Sequence, residues 1–206
     1  EYVWYSSPVY QSDLKNGIAG DSALDGRYLR ALCGTTPFEI LKYDYWRWRA
    51  TVGESIALGG IAFGTWKGGW SGGADREEPH LKTYFKFIRD NDRYLYPREC
   101  HAEVGLLFPR EAMRNADASF FEPLRRLGRA MVTGHVLFDM LIDQTLTPED
   151  LARHRVVAIP APQSLSAANL KLLEAYVTAG GRVFTIPPAT KRSAAAGWTV
   201  YPGDLK

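Results

Sequence analysis

Four short apolar runs constrain this chain more than any other feature. They are EVGLLFPR (103–110), FDMLIDQ (138–144), RVVAIP (155–160) and RVFTIP (182–187). Each is almost continuously apolar rather than alternating, the pattern of a strand covered on both faces. The stretches between them carry helix signals. Ser119 and Glu122 have the spacing of a capping box before a helix running to about Gly134. Thr147-Pro148-Glu149-Asp150 offers a cap, a first-turn proline and acids at the positive dipole end. SAANLKLLEAYVTAGG opens on Ser166, places Leu170, Leu173, Tyr176 and Val177 on one face, and stops at Gly180-Gly181. Strands alternating with helices predict a parallel sheet with helices on both faces.

The first hundred residues read differently. EYVWYSS (1–7), PFEILKYD (37–44) and IAFGTW (61–66) are strand candidates. GRYLRALCG (26–34) and GESIALGG (53–60) read as short helices closed by glycine. HLKTYFKFIRDNDRYLY (80–96) has Leu81, Tyr84, Phe85 and Ile88 at helical spacing. The polar, glycine-rich stretch up to Gly26 and KGGWSGGADREEP (67–79) read as loops. Trp4, Trp46, Trp48, Trp66 and Trp70 all fall in this half, against one tryptophan in the rest. The expected division is therefore 1–100 and 101–206.

Bulk properties remove several classes of function. The net charge of +2 comes from interspersed basic and acidic residues, so no basic stripe suggests nucleic acid as a partner. No run has the length of a membrane span. The thiols Cys33 and Cys100 are too few for a disulfide scaffold. His80, His101, His135 and His154 lack metal-ligand spacing. GGWSGGADR has glycines without a strand-to-helix phosphate context, so no cofactor is expected. The chain opens on Glu1 rather than a methionine, which points to a processed or cut start. Compartment stays open between cytoplasmic and secreted.

The string FFEPLRRLGRAMVTGHVLFDMLIDQTLTPEDLARHRVVAIPAPQSLSAANLKLLEAYVTAGGRVF (120–184) resembles the trimerisation-type domain of β-galactosidases. That resemblance covers about 103–187 and implies a flavodoxin-like domain, here without a cysteine at a strand-to-helix elbow and without a phosphate cradle. It further implies that residues 1–100 are the last strand–helix units of a catalytic (β/α)₈ barrel, a position supported by the phrase ESIALGGIAFG. The rest of the barrel would come from the same or another chain. The implied protein is a retaining glycoside hydrolase with a carbohydrate substrate and a homo-oligomeric state. A non-catalytic carbohydrate-binding or assembly protein is the alternative.

Barrel active sites lie at the carboxyl ends of the strands. Retaining glycosidases need two carboxyl groups about 5–5.5 Å apart. The resemblance makes Glu39 the nucleophile candidate, although Ile40-Leu41 follow it where the family shows small polar residues. Asp44 is the second candidate. The acid/base partner would lie on an earlier strand, outside this chain. The plain structural reading of Glu39 is an ion pair with Arg47 or Arg49, and that of Glu54 a dipole-stabilised surface acid. Trp66 and Trp70 are candidate sugar platforms, because an indole pairs a flat apolar face with an N–H. Tyr43 and Trp46 are further candidate contacts. Trp46 and Trp48 alternate, so at most one faces a ligand.

Overall fold

The computed structural model describes residues 3–6, 23–41, 52–62, 74–95, 100–186 and 198–200. The chain divides into two compact units, Glu1–Glu99 and Cys100–Lys206.

The first unit contains β1 (Val3–Ser6), α1 (Ala23–Cys33), β2 (Phe38–Leu41), α2 (52–57), β3 (Ile61–Ala62), α3 (Ala74–Asp90) and α4 (Asp92–Leu95). The strands pair in chain order, β1-β2-β3, and both pairs are parallel. Successive parallel strands joined by helices are the repeating unit of a β/α barrel. Phe38 and Ile40 are fully buried and pack with Leu29 of α1 and with Cys33 and Leu58. Arg30 lies over the Phe38 ring, 4.7 Å from its centroid. Its guanidinium donates to the carbonyl of Gly34 at 2.6 Å and to that of Gly59, joining the turns that follow α1 and α2. A second cluster sets Val52 and Ile56 of α2 against Leu95, with Tyr84 and Ile88 packed beside it.

Two expectations need correction here. Helix α1 begins at Ala23 and α3 at Ala74, both inside stretches read as loop. Asp25 sits in the first turn of α1, and ADREE opens α3 in the sequence. Acids of this kind suit a helix start, and they outweigh the neighbouring glycines. Of the apolar positions at helical spacing in α3, Tyr84 and Ile88 are partly buried against the second cluster, while Phe85 is 45% exposed.

The second unit contains β4 (Val104–Phe108), α5 (Arg110–Arg114), α6 (Phe121–Thr133), β5 (Phe138–Ile142), α7 (Pro148–Ala152), β6 (Val156–Ile159), α8 (Ala167–Thr178), β7 (Arg182–Thr185) and β8 (Thr199–Val200). The sheet order is β5-β4-β6-β7-β8 and every pair is parallel. Counted within the unit this is 2-1-3-4-5, the flavodoxin-like order. Leu106 and Leu107 are consecutive and both buried, as two covered faces require. On one face Leu107, Leu141, Val157 and Val183 join Leu151 of α7 and Leu170, Leu173 and Tyr176 of α8. On the other, Phe108 meets Phe120 edge to face at 5.6 Å, and α6 buries Leu124, Leu127 and Met131. The fifth strand was not among the expected elements. Its signal was present in the β-branched and aromatic run Trp198-Thr199-Val200, and Trp198 completes the core beside Leu173 and Tyr176.

Two of the expected caps form. Thr147 and Asp150 make a reciprocal capping box, and the Ser166 hydroxyl accepts the Asn169 N–H at 3.1 Å. The box at Ser119 does not form. Phe120 occupies the cap position of α6 because its ring is buried against Phe108. Ser119 instead donates its N–H to Asp117 at 2.9 Å, while Glu122 pairs with Arg125.

Asp143, at the end of β5, ties three elements together. Its carboxylate accepts the N–H groups of Arg110 at 3.0 Å and Glu111 at 3.2 Å, which open α5 after β4. Its carbonyl accepts the side-chain amide of Asn169 on α8 at 2.9 Å.

A Cβ at Gly60 would stand 2.4 Å from the buried Phe38 ring, whereas nothing lies within 4 Å of one at Gly53. Gly60→Ala should therefore lower unfolding stability by about 1–3 kcal/mol. Gly53→Ala, inside α2, should be neutral or raise it by up to about 1 kcal/mol. Denaturant titration of the two variants checks this, and equal effects would contradict the packing described. Asp143→Ala strands two part-buried N–H donors and should cost about 1–3 kcal/mol. Asp143→Asn retains one acceptor and should cost less in the same titration.

Candidate functional site

Glu39 is the second of the four described residues of β2, flanked by Phe38 and Ile40, so it lies toward the amino end of that stretch and not at the carboxyl end where it was expected. Side chains alternate across a strand, so burial of those two against α1 sets Glu39 on the opposite face of the sheet. In register it stands between Trp4 of β1 and Ile61 of β3. Glu39 is half-buried. Among the described residues it has no hydrogen-bond or ion-pair partner. Acids withdrawn from water are ordinarily paired, so an unpaired one on a strand interior is unusual for a purely structural carboxylate. Of the other candidates, Tyr43, Asp44, Trp46, Trp66 and Trp70 lie outside the described residues, as do Arg47 and Arg49. Glu54 is half-buried in α2, one residue before the buried Ser55.

Ligands of open parallel sheets bind outside the carboxyl ends of the strands, where the strand order reverses. In the second unit that place is beside the carboxyl ends of β4 and β6. Asp143 bonds there with the N–H groups that open α5. Burial pushes its carboxyl above the ordinary value, against the pull of the Glu111, Arg110 and Gln144 N–H groups toward the charged form. Gln144 adds a side-chain bond to Glu111 at 2.6 Å. An internal carboxylate thus takes up donors that could otherwise meet an anion, which suits a structural unit. Sequence reasoning did not single out Asp143; its only signal was an acid immediately after the apolar run FDMLI.

The amino edge of the same sheet holds another feature not foreseen. The His154 side chain is 1% exposed, with Nε2 3.5 Å from an Asp139 carboxylate oxygen. Its Nδ1 lies 2.8 Å from the Asp150 carbonyl, which can only accept, so Nδ1 carries the proton. The Tyr176 hydroxyl donates to the His154 carbonyl at 3.0 Å. A groove of about 750 Å³ opens at this edge between α7 and α8, with Glu103, Arg155 and Arg182 in its lining. Burial pushes the Cys33 thiol up in spite of the nearby Arg30, so it is not a ready nucleophile. Among the described residues no group of histidines, cysteines and acids could hold a metal ion. No described helix is long and apolar enough to cross a membrane.

No known family profile matches the chain, and no curated protein matches it. Solved structures do. The chain is similar to α-L-fucosidase isoenzyme 2 from Paenibacillus thiaminolyticus, with a TM-score of 0.56 and 17% identity over 78% of this chain and 26% of that one. It is also similar to the exo-β-1,4-mannosidase Op5Man5 from Opitutaceae bacterium strain TAV5, with a TM-score of 0.57 and 13% identity over 86% of this chain and 38% of that one. The chain spans between about a quarter and two fifths of these enzymes. At such identity the likeness is one of fold alone: the chain shares the α/β architecture of the matched parts of these two structures, a partial barrel-like parallel sheet followed by a flavodoxin-like unit.

Proposed function

We propose that this chain is a portion of a glycoside hydrolase, retaining and β-galactosidase-like, with Glu39 as nucleophile. The observation that carries this reading is the half-buried carboxylate of Glu39, without a partner among the described residues, on the strand face turned away from α1. The fold likeness to a fucosidase and a mannosidase supports the reaction class. In this reading Glu39 attacks the anomeric carbon and forms a glycosyl ester as the aglycone leaves. An acid contributed from elsewhere in the barrel protonates the departing oxygen. The same group then deprotonates the water that cleaves the ester. Tyr43, Trp46, Trp66 and Trp70 are the proposed sugar contacts, and Asp44 is the next carboxylate to test.

Residues 1–100 then supply the end of a barrel whose remainder comes from the same or another chain. Residues 101–206 serve assembly with further copies, consistent with a carboxyl edge whose donors are satisfied by Asp143.

Glu39→Gln in the full-length protein should reduce hydrolysis of aryl glycosides by roughly a thousandfold or more. Its unfolding midpoint should stay close to that of the wild type, because no bond is lost. Near-normal turnover would reject the nucleophile assignment and move attention to Asp44. The full-length protein should sediment as an oligomer with an interface above roughly 1,000 Å². A clean monomer would reject the assembly role.

A further inference from the structure

We draw no further inference here: the strongest candidate, the groove of about 750 Å³ between α7 and α8 at the amino edge of the second unit's sheet, carries none, because its lining mixes Glu103 with Arg155 and Arg182 and nothing in the structure shows what covers it.

Discussion

The first unit depends on the burial of Phe38 and Ile40 beneath α1. These two side chains are inaccessible to water, and Gly60 has no side chain because the Phe38 ring fills the space. At about 25 cal/mol per Å² of apolar surface, two such residues supply several kcal/mol of the drive that docks the helix on the strand. A strand has only two faces. Committing one to this contact sends the residue between, Glu39, to the other. Packing alone thereby sets a carboxylate in a row with Trp4 and Ile61.

The second unit uses its acids in the opposite way. Asp143 is almost fully buried, yet both of its carboxylate oxygens and its carbonyl are bonded to named donors. The pairing fixes the start of α5 relative to β5 and anchors α8. It also satisfies the backbone donors at the edge where sheets of this order usually take ligands. His154 and Asp139 lie together across β4, and Gly105 leaves room for them: a Cβ there would meet Leu141 at 2.6 Å and His154 at 3.4 Å. The two units therefore use acids differently: Glu39 has no partner among the described residues, whereas the buried Asp143 carboxylate is bonded to two backbone N–H groups.

The strand–helix alternation of the second unit was legible because its strands are covered on both sides. Continuous apolar runs such as VGLLF and VVAI have little other use in a soluble fold. Thr147 and Ser166 were legible because capping is local, needing only a side-chain oxygen and an N–H three residues on. Ser119 has the same local pattern, and it failed because the tertiary demand to bury Phe120 against Phe108 moved the cap by one residue. Strand β8 was missed because it follows PPATKRSAAAG, a stretch with no strand pattern, and shows only as a brief run from Trp198. The Asp143 contacts join residues 26 to 33 positions apart, a distance no local pattern encodes. Glu39 was legible as a strand acid. That it has Trp4 beside it follows only from the sheet register.

The central claim is that Glu39 forms the covalent glycosyl intermediate. Incubating the full-length protein with an activated 2-deoxy-2-fluoro-β-galactoside slows the second step more than the first and traps that ester. Peptide mass spectrometry then locates the label. The account predicts one fluoroglycosyl group on the peptide containing Glu39, fragmenting at that residue, and none on Glu39→Gln. A label on Asp44 or on any other residue, or a protein that cleaves the sugar without becoming labelled, would contradict it.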